Sequence, residues 1–260
     1  MNGCLLKEWL QEREICIYLP PSYNVRTEGF PVVYIHDEGY LFRDQLPALE
    51  SMMSRQELRE LIFVGIRPDN RNCEYTPWYA KALSAKYGEF GGQGAQYLAF
   101  LANELKPNID NTYRTLSSPE NTGIAGASFG GLISMYAAFL LPGVFGRVAS
   151  ISGSFWYEGF IDFMRATGIE ITGQKIYLDV GMLEGTAKTN IQQTMVDRNK
   201  EAYEILRQKG FSSKHCRFVV EEGADHAHAF FLRRLPFALQ WLFEPPNSKD
   251  SQITDISRKV

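Results

Sequence analysis

The chain has 260 residues, 45% of them hydrophobic and 22% charged, with a formal net charge of −3. Such a composition supplies a full globular core, and the small negative charge gives no electrostatic case for nucleic acid or an anionic membrane surface as partner. The chain has no apolar run of about 20 residues, and Cys4, Cys16, Cys73 and Cys216 form no CxxC or Cys/His pattern. The expectation is a cytoplasmic protein with reduced thiols, no membrane contact, no metal and no cofactor.

From the N-terminus, charges at Lys7, Glu8, Glu12, Arg13 and Glu14 interrupt the first apolar residues and leave no secretory apolar region. EICIYL, from Glu14 to Leu19, alternates before stopping at Pro20-Pro21, which predicts an antiparallel edge strand. PVVYIH from Pro31 and LIFVGI from Leu61 are near-continuous apolar runs, as expected of strands buried on both faces of a parallel sheet. AQYLAFLANELKPNI puts Tyr97, Phe100, Leu101 and Leu105 on one helical face. GIAG then predicts a strand, and FGGLISMYAAFLL a helix that begins directly after Ser128. RVASIS from Arg147, KIYLDV from Lys175 and CRFVV from Cys216 predict three more strands. Before the last of them, DRNKEAYEILRQKG reads as a helix with Asp197 as N-cap and Gly210 as C-cap. LPFALQWLF is a closing helix. The alternation predicts a single α/β domain over residues 1–244 with a mostly parallel sheet, followed by a polar, mobile tail over 245–260.

Within this pattern lies Gly126-Ala127-Ser128-Phe129-Gly130. Average glycine and serine usage predicts roughly 0.1 chance occurrences of Gly-x-Ser-x-Gly in a chain this long. A strand before the motif and an apolar helix after it are the context of a nucleophile elbow, in which a sharp turn lifts the serine hydroxyl above the sheet. Small neighbours are needed there, and the first amides of the helix, Phe129 N–H among them, face a developing oxyanion.

A serine nucleophile needs a base, and the chain has four histidines: His36, His215, His226 and His228. Catalytic groups of open α/β sheets collect at the carboxyl ends of strands. His226 and His228, in EEGADHAHAFF after the last strand, meet that condition, whereas His215 precedes its strand. Either of the late pair could serve Ser128. The acid is expected between serine and histidine. Glu184, beyond Gly181 in KIYLDVGMLEG, is better placed than Asp179 inside the strand; Asp197 is the alternative, and Asp225 adjoins His226 too closely. Arg71, with Glu74, Tyr75 and Trp78, could wall a site for an anionic or aromatic group, and Phe155, Trp156 and Tyr157 could add an aromatic surface. The bland alternative pairs Arg71 with Glu74 and buries Trp78.

Taken together, EREICIYLPPSY, PVVYIHDEGYLF, RNCEYTPW, FLANELKPNIDNTYRT, GASFGGLISMYAAFLLPGVFG and ISGSFWY resemble the putative-esterase branch of the α/β-hydrolases. That branch includes esterase D, feruloyl esterases and enterochelin or siderophore esterases. The resemblance runs from about Glu12 to Leu242. It implies an α/β-hydrolase fold with helices on both faces of the sheet and no large lid. It also implies carboxylic ester hydrolysis through a Ser-His-acid triad, without cofactor, on a siderophore trilactone or a small or aromatic ester. The family nucleophile falls on Ser128, the acid on Glu184 and the histidine on His226, counting back from Arg233-Arg234-Leu235-Pro236. Relatives often read Asp-Gly-x in the oxyanion loop, where this chain has Asp37-Glu38-Gly39. Gly39 or Tyr40 is therefore expected to join Phe129 in the oxyanion hole, with Arg71, Trp78 and Trp156 binding substrate. An acyltransferase, or a noncatalytic binding protein on the same scaffold, are the alternatives; no oligomeric state follows from the sequence.

Overall fold

The computed structural model describes residues 2–84, 88–171 and 173–245; the expected mobile tail lies, from residue 246 on, outside the described residues. The strands are β1 (Cys4–Leu10), β2 (Arg13–Leu19), β3 (Val32–Ile35), β4 (Ile62–Ile66), β5 (Tyr79–Ala80), β6 (Phe90–Gly91), β7 (Thr122–Ala127), β8 (Arg147–Ile151), β9 (Lys175–Gly181) and β10 (Cys216–Glu221). The α-helices are α1 (Tyr40–Arg43), α2 (Leu46–Ser54), α3 (Arg71–Glu74), α4 (Gly94–Phe100), α5 (Lys106–Thr112), α6 (Phe129–Leu140), α7 (Phe160–Ala166), α8 (Met195–Gln208) and α9 (His228–Leu242).

Eight strands form one sheet in the order β1-β2-β4-β3-β7-β8-β9-β10, and β5 and β6 make a separate two-stranded ribbon. β2 is antiparallel to β1 and β4, and every pairing from β4 through β10 is parallel. The apolar runs are continuous because each central strand feeds two cores. Val32 and Tyr34 of β3 join Leu98, Leu132, Ile133 and Leu206 on one face. Val33 and Ile35 join Phe42, Leu49, Leu235 and Leu239 on the other. Helices thus cover both faces of the sheet, and the arrangement is an α/β-hydrolase fold.

Four expectations change. β2 is not an edge strand: β1 covers it in full register, from Cys4 opposite Leu19 to Leu10 opposite Arg13. The charges that hid β1 in the sequence suit a half-solvated edge, and Lys7 pairs with Glu14 across it at 2.5 Å. The helix over AQYLAFLANELKPNI is interrupted by a π-helical turn at Leu101–Leu105, and Phe100 is only half-buried. α8 begins at Met195, with Thr194 at its N-cap, so Asp197 lies in the first turn rather than at the cap; Gly210, at φ 100°, does terminate that helix. α9 starts at His228, ahead of the apolar stretch, and carries Pro236 inside it.

Candidate active site

Ser128 joins β7 to α6 at φ 59° and ψ −118°, a conformation that only a strongly held non-glycine residue adopts. The hold comes from β8 and the residues that follow it. Ser128 N–H donates to the Ile151 carbonyl at 3.0 Å, and Ser154 N–H donates to the Ser128 carbonyl at 3.1 Å. Gly126 is required by packing, since a Cβ there would stand 2.7 Å from the Gly130 carbonyl carbon. Gly126→Ala is expected to cost about 1–3 kcal/mol of stability through overpacking. A thermal melt should show a midpoint lowered by several degrees, and any turnover that depends on the Ser128 hydroxyl should fall about tenfold or more as the elbow is displaced.

The structure brings Ser128, His226 and Glu184 together from three strand ends. Ser128 Oγ lies 3.0 Å from His226 Nε2, and His226 Nδ1 lies 2.6 Å from Glu184 Oε2. The turn after β9 carries Glu184, and the loop between β10 and α9 carries His226. The Glu184 side chain is fully buried, while that of His226 is 35% exposed. Burial pushes the Glu184 carboxyl upward, but hydrogen bonding and charge from His226, the Ser152 hydroxyl and the Gly181 amide outweigh it and hold the group below the ordinary glutamate value. Its Oε1 accepts from Gly181 N–H at 2.6 Å and from Ser152 Oγ at 2.5 Å. Ser128 Oγ also lies 3.2 Å from Ser154 Oγ.

Phe129 opens α6 beside Ser128, and as the first helical residue its amide has no intrahelical acceptor. The expected second donors are placed differently. Gly39 N–H donates to the His36 carbonyl at 3.1 Å, and Tyr40 N–H donates to the Asp37 carbonyl. Both amides are spent inside the turn, because Asp37, Glu38 and Gly39 take φ values of 56°, 57° and 71° and wind it tightly. This turn also explains the displaced glycine: two non-glycine residues adopt left-handed backbone ahead of Gly39. Asp37 N–H is held by the Tyr75 hydroxyl at 2.9 Å.

Arg71 does not pair with Glu74. Its Nε and Nη2 donate to the two carboxylate oxygens of Asp37 at 2.7 and 3.0 Å, and Glu74 is taken by Arg13 at 2.6 and 2.9 Å. The Arg71 guanidinium also sits over the rings of Tyr75 and Phe129, at 5.4 and 5.5 Å. Trp156 is 5% exposed and stacks edge-on behind Phe129; Phe155 and Tyr157 are buried with it, so these three form core rather than an open aromatic surface. Trp78 is half-buried among Tyr136, Tyr157, Phe160 and Phe163, with Nε1 donating to the Glu158 carbonyl at 2.9 Å.

The remaining candidates lie apart from Ser128 Oγ or face elsewhere. His228 stacks on Tyr40 at 4.6 Å and lies 3.5 Å from Asp44. His36 is fully buried with Nδ1 2.8 Å from Tyr97 Oη, and desolvation pushes its pKa down to about 3, so it stays neutral. His215 bonds Ser212. Asp179 is fully buried and bound by Arg234 at 2.7 Å. Sequence reasoning overlooked Ser152, Ser154, Asp37 and Arg234 as individuals. All but Arg234 lie just past the carboxyl end of a parallel strand, and that position was the available signal. Among the described residues no group of three or more His, Cys, Asp or Glu side chains could hold a metal ion, and no helix is long and apolar enough to cross a membrane.

Comparison with known proteins fits this geometry. The profile of the family described as Putative esterase matches residues 7–242. Uncharacterized protein YbbA of Bacillus subtilis (strain 168) is 38% identical over 243 residues, covering 94% of this chain and 97% of its own length. The Iron(III) enterobactin esterase of Escherichia coli (strain K12) is 29% identical over 153 residues, which take in 53% of this chain but 33% of that protein. Among solved structures, the BES protein from Bacillus cereus superposes with a TM-score of 0.70 at 21% identity, over 94% of this chain and 96% of that one. The enterobactin esterase FES from Shigella flexneri, in the presence of enterobactin, superposes with a TM-score of 0.73 at 19% identity, over 93% of this chain and 58% of that one. These structural likenesses speak for the fold; the profile, spanning all of the sheet except the start of β1, and the 38% identity carry the membership. The chain belongs to the Putative esterase family.

Proposed function

We propose that the protein hydrolyses carboxylic esters through an acyl-enzyme on Ser128, with His226 as general base and Glu184 as the acid that orients it. The observation that carries this reading is the unbroken chain from Ser128 Oγ to His226 Nε2 at 3.0 Å and from His226 Nδ1 to Glu184 Oε2 at 2.6 Å. Glu184, held ionised, fixes the imidazole with its proton on Nδ1 and leaves Nε2 to accept the serine proton. The Ser128 oxygen then attacks the ester carbonyl, and the same proton passes from Nε2 to the leaving alcohol. Water, activated at Nε2, hydrolyses the acyl-enzyme. The oxyanion is stabilised by Phe129 N–H at the positive end of α6. With the amides of Asp37, Gly39 and Tyr40 engaged, the second donor is assigned to Glu38 N–H in the same turn.

For the substrate, the half-exposed Phe129 ring and the Arg71 guanidinium over it favour an aromatic acyl or alcohol part. The enterobactin esterases among the relatives make a catecholate trilactone the first compound to try. Turnover of short acyl esters, feruloyl esters and a catecholate trilactone should show the highest kcat/KM for the trilactone. Arg71→Ala should lower that value about tenfold or more, the loss of a charge-assisted contact. A preference for short acyl esters that Arg71→Ala leaves unchanged would discard the aromatic reading while keeping the hydrolase. If Arg71→Ala weakened all three classes equally, its work would lie in holding Asp37 rather than the substrate.

A further inference from the structure

Arg234 of α9 is 3% exposed and lies among three carboxylates. Its Nη1 donates to Asp179 Oδ1 at 2.7 Å and to Ser152 Oγ at 2.8 Å, and its Nη2 to Glu184 Oε1 at 3.3 Å. Its Nε lies 2.8 Å from Glu221 Oε2 at the end of β10. Ser152, held at φ 48°, receives Arg234 on its oxygen and donates its own proton to Glu184 Oε1 at 2.5 Å. Its amide meanwhile donates to Asp179 Oδ1 at 3.1 Å. The two oxygens of Glu184 are therefore divided in duty. Oε1 takes the Gly181 amide, the Ser152 hydroxyl and Arg234, which leaves Oε2 to His226.

We propose that Arg234 is a positioning residue for ester hydrolysis: with Asp179 as its counter-charge, it sets the orientation of Glu184 and the electric potential at His226. This rests on the reading of Ser128, His226 and Glu184 as the catalytic set. A buried arginine that only tied α9 to the sheet would need one carboxylate partner, and a well-packed apolar residue could replace the pair at little cost. Here one guanidinium is shared by Asp179 from β9, Glu184 from the turn after it and Glu221 from β10. The imidazole that shares Glu184 faces Ser128 Oγ on its other nitrogen and the Phe231 ring at 4.8 Å. Glu221 is balanced on its second oxygen by Arg233, and His228 is paired with Asp44. The buried charge nearest to Glu184 is thus set by Arg234 and Asp179, and changing either must alter how readily the imidazole takes a proton.

The sign of the effect separates positioning from mere structure. Burial pushes the Asp179 carboxyl up to about 6 against the pull of Arg234, so Asp179→Asn keeps an acceptor for Arg234 and removes a negative charge carried above that pH, where the imidazolium becomes less favoured. The acid limb of the kcat/KM–pH profile for a neutral p-nitrophenyl ester should move to lower pH by about half a unit or more. Arg234→Gln removes a positive charge and should move the same limb to higher pH. Its kcat should fall about tenfold or more while KM changes little, since the lost alignment acts on the transition state. Arg234→Lys keeps the charge and should leave the limb near its wild-type position. Limbs that stay put in both Asp179→Asn and Arg234→Gln, or that move in the same direction, overturn the proposal. If Arg234→Gln does not fold, the direction of the Asp179→Asn shift decides alone. Failure of the underlying reading would look different, because His226→Ala would then retain turnover.

Discussion

Ser128→Ala is expected to lower kcat/KM for a p-nitrophenyl ester by about four orders of magnitude or more and to abolish labelling by a fluorophosphonate. The size follows from the mechanism. Without the hydroxyl no acyl-enzyme forms, and what remains is binding plus oxyanion stabilisation of direct attack by water. The fold should survive the change. Ser128 keeps its place through backbone bonds, its amide to Ile151 and its carbonyl from Ser154 and Leu132, and alanine retains all three. The side chain gives up a 3.2 Å contact with Ser154 and a 3.0 Å contact with His226, neither of which anchors an element. A thermal midpoint within about 2 °C of wild type, beside lost turnover, would separate chemistry from folding. Turnover or labelling that persisted in this variant would remove Ser128 from the nucleophile's role and the acyl-enzyme from the mechanism.

Periodicity made the central sheet legible. Val32–Ile35, Ile62–Ile66, β7, β8 and β9 are almost wholly buried because both faces are covered, whereas β10, at the edge, is only partly buried; a short β-branched run fits few places except the middle of such a sheet. β1 escaped because an edge strand with one solvated face can carry Lys7, Glu8 and an exposed Trp9, and such a segment reads as a charged terminus. In the candidate site, chain order and strand ends point to Ser128 and favour Glu184 but leave His226 and His228 both open, and the family resemblance chooses His226. What surrounds them was not legible. The partner of Arg71 depends on how a loop folds across three strands: Glu74 lies three residues away yet goes to Arg13, while Asp37, 34 residues away, takes Arg71. The oxyanion turn escapes for a related reason. The family resemblance points to the Gly39 or Tyr40 amide, but consecutive left-handed residues at 37 and 38 turn both amides into the loop. No spacing rule announces strain of that kind.

His226→Ala and His228→Ala, two residues apart, are expected to differ by at least about three orders of magnitude in kcat/KM. His226 stands between Ser128 and Glu184, and its removal leaves the serine without a base. His228 opens α9, stacked on Tyr40 and 3.5 Å from Asp44, so its loss should cost less than about fivefold. Stability gives a second, independent reading of the same pair. Glu184 is held below its ordinary value in the folded state, with His226 among the groups that lower it. A carboxyl depressed on folding contributes stability that is present above its unfolded pKa and is lost as pH falls through its folded pKa. His226→Ala removes part of that contribution. The variant should therefore be less stable than wild type at neutral pH, and the gap should narrow as the pH drops below the ordinary glutamate range. His228→Ala should show no such convergence. A loss of turnover in His228→Ala with activity kept in His226→Ala would exchange their roles. Loss in His226→Ala with a pH-independent stability gap would keep the base but deny Glu184 its ionised partnership with it, and Asp179 would then have to be weighed as the acid.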